Sequence, residues 1–122
     1  MEELAGHKKF TDIIGKEEFI RLFSEEHQLS QWFTGKELET FMFPRNAGSL
    51  AARYLVKKRI CMEISRPDLA GEIQVLNDPL GKPVLEFENE LDSVLKKAGI
   101  TRIMCSLSHS RHYIAAVTII CY

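Results

Sequence analysis

An α+β fold, with N-terminal helices packed on an antiparallel sheet, is predicted by three observations on the sequence. Apolar residues recur at helical spacing through the first half of the chain. From Ile73 onward the period shortens to two, and dense turn chemistry separates the alternating segments. At 122 residues the chain has the length of one ordinary domain, spanning 1–122.

The elements follow in order. From Lys16 to Leu29, Phe19, Ile20, Leu22, Phe23 and Leu29 fall at near-helical spacing and predict an amphipathic helix. Thr34-Gly-Lys-Glu37 has the form of a capping box, and Leu38, Phe41 and Met42 suit a short helix that stops before Pro44. Arg45-Asn-Ala-Gly48 reads as a turn, and a long helix runs from Ser49 to about Ile64, ending at Ser65-Arg-Pro67. Ile73 and Val75 alternate with polar neighbours, Asn77-Asp-Pro-Leu-Gly-Lys-Pro83 supplies a turn, and Val84-Leu-Glu-Phe87 returns, which predicts a β-hairpin. Leu91, Val94, Leu95 and Ala98 mark a helix closed by Gly99. Two last strands, 103–107 and 113–122, are joined by the short polar connection Ser108-His-Ser-Arg-His112, which favours antiparallel pairing.

Composition excludes several function classes. Hydrophobic residues at 45% and charged residues at 27% argue against both disorder and a membrane protein. No apolar stretch approaches the roughly 18 residues of a transmembrane helix. The opening MEELAGHKKF carries acids where an export signal has bases, so a cytoplasmic protein is expected. With 16 basic against 17 acidic residues there is no global field for nucleic acid. Cys61, Cys105 and Cys121 have neither disulfide nor zinc-site spacing and read as small buried side chains. His7, His27 and His112 lack metal-ligand spacing and read as surface residues.

Three tracts could carry chemistry. On a wheel of the long helix, Leu50, Ala51, Tyr54, Leu55, Cys61 and Met62 share an arc of about 140°, and Lys58 falls inside it. Arg53 and Lys57, four residues apart, can point at one anion. The plainer reading is a solvated basic face with Lys58 reaching water. Leu80-Gly81-Lys82-Pro83 offers close backbone approach and a cation, or is simply a hairpin turn. Ser106-Leu-Ser-His-Ser110 offers hydroxyls and an imidazole, but a hydrolase would also need an orienting acid and an oxyanion hole.

In chain order these tracts resemble a known family. Ser49-Leu-Ala-Ala-Arg-Tyr-Leu-Val-Lys-Lys58 is similar to the helix signature of the holo-acyl-carrier-protein synthases, the small phosphopantetheinyl transferases. Leu80-Gly-Lys-Pro-Val84 resembles their Gly-(Lys/Arg)-Pro hairpin, Ser106 to Val117 their Ser-Ile-Ser-His ending, and Trp32 to Leu38 their Leu-Thr-x-x-Glu-Leu segment. The resemblance implies that a serine of an acyl carrier protein, as in fatty acid biosynthesis, attacks the β-phosphate of coenzyme A. It further implies Mg²⁺ as cofactor and a homotrimer with sites shared between subunits.

By motif position, Arg53, Ser108, His109 and Ser110 would contact the 3′-phosphate or nucleotide, Gly81, Lys82 and Pro83 would line that cleft, and Lys57 would lie near the pyrophosphate. The family's metal-binding aspartate corresponds to Asp12, and its second metal ligand, a glutamate, is Lys58 here. The family lysine one turn later is Met62. If Asp12 and Lys58 are neighbours they are expected to form an ion pair, the ammonium replacing part of the divalent charge. Catalysis in which Asp12, Lys57 and Lys58 take part therefore stands beside a second reading, a non-catalytic homologue that binds coenzyme A or a carrier protein, and a third, an unrelated α+β binding domain.

Overall fold

The computed structural model describes residues 6–25 and 28–122, so that His27 lies outside the described residues. The chain enters through a strand, β1 (His7–Gly15), and only then turns into helix α1 (Lys16–Glu25). Sequence pattern starts the elements at Lys16 instead, because the strand face that carries the buried Ile14 also carries Lys8 and Asp12, which break the apolar alternation. Helix α1 stops at Glu25, and Leu29 belongs to a separate short helix, α2 (Leu29–Trp32).

Helix α3 (Gly35–Thr40) begins with the predicted capping box: the Thr34 hydroxyl accepts from the Glu37 N–H at 3.1 Å, and the Glu37 carboxylate accepts from the Thr34 N–H at 2.9 Å. Helix α4 (Ala47–Ile64) starts two residues before the expected Ser49. A 3-10 turn (Pro67–Glu72) leads into the hairpin of β2 (Ile73–Asn77) and β3 (Pro83–Phe87). Helix α5 (Asn89–Lys97) follows, then β4 (Arg102–His109) and β5 (Tyr113–Cys121).

Two antiparallel sheets result, a three-stranded one in the order β1-β5-β4 and the separate hairpin. On β5, Ile114, Ala116, Thr118 and Ile120 are buried, and the alternate residues are only half-buried or exposed. Strand alternation puts the first set against α4 and leaves the other face of the sheet uncovered among the described residues. Across that open face, Ile13 pairs with Ala115, Thr11 with Val117, Met104 with Ile119 and Ser108 with Ala115.

Helix α4 is the axis of the fold. It contacts the sheet on one side, and α1 and the 3-10 turn elsewhere, so it is buried around most of its circumference from Ala47 to Lys57. Phe19 and Phe23 of α1 pack on Tyr54 with ring centroids 5.7 and 5.4 Å away. A one-sided wheel therefore misplaces three residues of α4: Lys58 and Met62 are exposed, while Lys57 is fully buried. Of the three cysteines only Cys61 is buried; Cys105 and Cys121 are half-buried because they lie on strands with one side open.

Candidate functional site

The hairpin turn is rigidly built. The Asp78 carboxylate accepts from the Leu80 and Lys82 N–H groups, both at 2.9 Å, and the Asp78 N–H donates to the Lys82 carbonyl at 2.8 Å. Gly81 takes a φ of +87°, a left-handed conformation that glycine adopts without strain. This turn holds Lys82 at the mouth of a cleft of about 470 Å³ between the hairpin, the first turns of α4 and the end of β4. Arg53, Asn77, Lys82, Ser106 and His109 line it, with Gly81 and Pro83 on the rim.

His109 reaches the cleft over Gly48, where a Cβ would stand 3.3 Å from its Nδ1. The absence of a side chain at Gly48 therefore lets the imidazole lie against α4. Arg53 is held from behind: Nε donates to the Val75 carbonyl at 2.7 Å, Nη1 to the Ser49 carbonyl at 3.0 Å, and Nη2 to Asn77 Oδ1 at 2.9 Å. The guanidinium also stacks 4.0 Å from the Phe41 ring centroid. Of its five N–H donors, three are engaged in this way. Burial lowers the Arg53 pKa, with Glu37 and Cys105 opposing, but an arginine stays cationic. Burial also pushes the Cys105 thiol up to about 11, so the sulfur in this cleft is a thiol at neutral pH rather than a nucleophile.

Lys57 does not join Arg53 at an anion. Its ammonium is fully buried, donates to Glu37 Oε1 at 2.6 Å and to the Ile73 carbonyl, and lies 5.3 Å from the Phe33 ring centroid. Burial lowers the Lys57 pKa and Glu37 counteracts it. The second Glu37 oxygen accepts from the Val75 N–H at 2.7 Å. One carboxylate and one ammonium thus pin β2 to α3 and α4, which fixes the hairpin that carries Lys82.

Asp12 and Lys58 line a second cleft, of about 240 Å³, with Glu18, Tyr54, Arg59 and Met62. The expected Asp12–Lys58 pair is not formed. Arg59 binds Asp12 instead, Nη2 to Oδ1 at 2.6 Å and Nε to Oδ2 at 3.0 Å, while Phe10 stacks on the guanidinium at 4.5 Å. The reason is helical geometry: Arg59 points at β1, and Lys58, one residue earlier, points outward, its Nζ 5.7 Å from the Tyr54 ring centroid. An apolar groove of about 590 Å³ beside Trp32 and Pro67 adjoins this cleft and shares Tyr54, Lys58 and Met62 with it.

Magnesium asks for several oxygen ligands in near-octahedral array. Both oxygens of Asp12 are already bonded by Arg59, and a lysine occupies the position of the second acid. No group of three His, Cys, Asp or Glu side chains able to hold a metal occurs among the described residues. These residues do not fit Mg²⁺.

The structure therefore brings Arg53, Gly81, Lys82, Pro83 and His109 together and puts Asp12 and Lys58 in another cleft that shares no lining residue with the first. Ser108 and Ser110 are exposed outside both clefts, and the Ser110 hydroxyl is engaged with the Tyr113 backbone at 3.3 Å. Sequence reasoning missed Asn77, Arg59 and Glu37, whereas Ser106 belongs to a tract that it singled out. Arg59 becomes legible only once 7–15 is known to be a strand. For Glu37 the capping box is visible in sequence, but not its second partner.

No protein-family model matches the chain. Among curated proteins it is 34% identical over 115 residues to the holo-acyl-carrier-protein synthase of Fusobacterium nucleatum, covering 89% of this chain and 93% of that one. It is 32% identical over 115 residues to that of Treponema denticola, with the same coverage of 89% and 93%. Among solved structures, the Chronobacterium ammoniagenes ACPS–CoA complex superimposes with a TM-score of 0.80 at 23% identity, over 95% of this chain and 97% of that chain.

Proposed function

The chain belongs to the holo-acyl-carrier-protein synthase family, and on that premise we propose that it transfers the 4′-phosphopantetheine group of coenzyme A to a serine of an acyl carrier protein. The serine oxygen attacks the β-phosphorus and the bond from that phosphorus to the bridging oxygen breaks. 3′,5′-ADP leaves with the bridging oxygen, and the serine proton passes to base or solvent. The observation that carries the reading is that α4, the hairpin and β4, far apart in sequence, supply Arg53, Lys82 and His109 to one cleft. Two cations and an imidazole around a glycine-containing rim suit a phosphate beside a nucleotide. In this reading Arg53, Lys82 and His109 hold the 3′-phosphate, Gly81 and Pro83 border the adenine, and Lys57 frames the site from within.

The second cleft shares no lining residue with the first. We therefore take the active unit as a homotrimer in the cytoplasm, in which one protomer's Arg53 cleft faces its neighbour's Asp12 cleft. The open sheet face, with Ile13 66% and Tyr113 63% exposed, is the surface available for such contact. Sedimentation of a clean monomer at tens of micromolar would remove the trimer. The departures at Asp12 and Lys58 favour a second reading, a homologue that binds coenzyme A without transferring it. Incubation with coenzyme A and purified apo-acyl carrier protein decides between them. Release of 3′,5′-ADP with the carrier's gain of one phosphopantetheine supports the first, and bound coenzyme A with neither product supports the second.

A further inference from the structure

The cleft at Asp12 holds an arrangement that neither a metal site nor a simple surface ion pair explains. Arg59 occupies both oxygens of Asp12, and this pair is largely shielded, with 23% and 20% of the two side chains exposed. The guanidinium is further fixed by the Phe10 ring. Its pKa is raised, chiefly by the hydrogen bond to Asp12. Next to it, Lys58 is exposed, enters none of the ion pairs found among the described residues, and has the Tyr54 ring as its neighbour. Glu18 is the other charged group on the wall, at the exposed start of α1.

The acid of Asp12 is thus used to orient a cation. A bidentate pair leaves the remaining N–H donors of the guanidinium directed away from the carboxylate. The Lys58 ammonium, which no carboxylate of the described residues pairs with, lines the same cleft. Together they offer donors and positive charge where a divalent ion would otherwise have to supply both.

We propose that this chain engages the diphosphate of its ligand through Lys58 and the Arg59 that Asp12 holds in place, without a divalent cation. The proposal rests on the coenzyme A reading above. Asp12 is then a positioning residue, and Lys58 and Arg59 are the binding groups. Glu18 weakens the field but does not touch either cation in an ion pair among the described residues.

The test is calorimetric titration of the full chain with coenzyme A, once with excess EDTA and once with magnesium chloride. The expected result is affinity equal within about twofold in the two buffers. Lys58→Gln should weaken coenzyme A by roughly tenfold in both, as loss of a charge-assisted phosphate contact does. The same variant should leave 3′,5′-ADP, which lacks the β-phosphate, unaffected. Because Lys58 is exposed, the variant is expected to keep the wild-type circular dichroism and melting temperature. Lys58→Glu should introduce magnesium dependence where wild type has none. Tenfold or greater tightening of wild type by magnesium overturns the proposal while leaving the coenzyme A reading intact, as does an unchanged affinity in Lys58→Gln. Absence of coenzyme A binding in either buffer overturns both.

Discussion

Replacing Glu37 by glutamine isolates the buried pair that holds the cleft together. The Glu37 carboxylate accepts from Lys57 Nζ at 2.6 Å, the Thr34 N–H at 2.9 Å and the Val75 N–H at 2.7 Å, in a site from which solvent is excluded. An amide keeps one acceptor oxygen but turns its NH₂ toward either the Val75 N–H or the ammonium, donor against donor. It also leaves the Lys57 charge buried without a counter-ion. Breaking a buried pair from one side typically costs about 3–5 kcal/mol, a large share of the roughly 5–15 kcal/mol by which a domain is stable. Lys57→Met should cost a similar amount by stranding the carboxylate. The double variant should lose less than the sum, by about 1–3 kcal/mol, because the two residues share one interaction. Equilibrium urea unfolding followed by circular dichroism measures all three. A loss below about 1 kcal/mol in Glu37→Gln would refute the reasoning, and Lys57 would again be a candidate for direct phosphate contact.

Four further outcomes are expected. Thr118 faces the core from β5 with a buried hydroxyl that has no hydrogen-bond partner among the described residues, so Thr118→Val should raise stability by about 1 kcal/mol in the same urea assay. Burial alone would raise the Glu63 carboxyl, but bonds from Lys8 at 2.7 Å and from the Tyr122 hydroxyl hold it below its ordinary 4.5. The stabilisation is therefore present above pH 4.5 and lost as pH falls through the lower folded value, so wild type should lose more melting temperature there than Glu63→Gln. Burial and Glu63 lift the Tyr122 phenol to about 12, which adds stability present below its ordinary 10.0 and lost as pH rises toward 12. Gly48→Ala would put a methyl 3.3 Å from His109 Nδ1; coenzyme A affinity should fall several-fold while the melting temperature changes little, as titration and thermal denaturation would show.

The parts of the fold that sequence predicts are those with local signals. The capping box at Thr34, the hairpin around Asn77 to Pro83, the Gly99 helix end and the final pair of strands all rest on residue types whose preferences act within a few positions. Strand β1 is hidden because the face that carries Phe10 and Ile14 also carries charges whose partners lie far along the chain: Lys8 meets Glu63 and Asp12 meets Arg59. For the same reason the wheel of α4 chose Lys58 as the embedded lysine. Hydropathy scores Lys57 as solvent-facing, and only the distant Glu37 and Ile73 make its burial tolerable. In the site, Arg53, Gly81, Lys82, Pro83, Ser106 and His109 were legible as residues of motif tracts, whereas Asn77 becomes a cleft residue only when the hairpin and β4 converge.

Coenzyme A and dephospho-coenzyme A differ only in the 3′-phosphate that the Arg53, Lys82 and His109 cleft is assigned to hold, so their titration against wild type and Lys82→Ala tests that assignment most directly. Lys82 is exposed and its side chain forms none of the ion pairs found among the described residues, so its truncation leaves the fold undisturbed. The expected result is that wild type binds coenzyme A roughly 10- to 100-fold more tightly than the dephospho form and that Lys82→Ala loses most of that difference. Equal affinity of wild type for the two ligands would contradict the account.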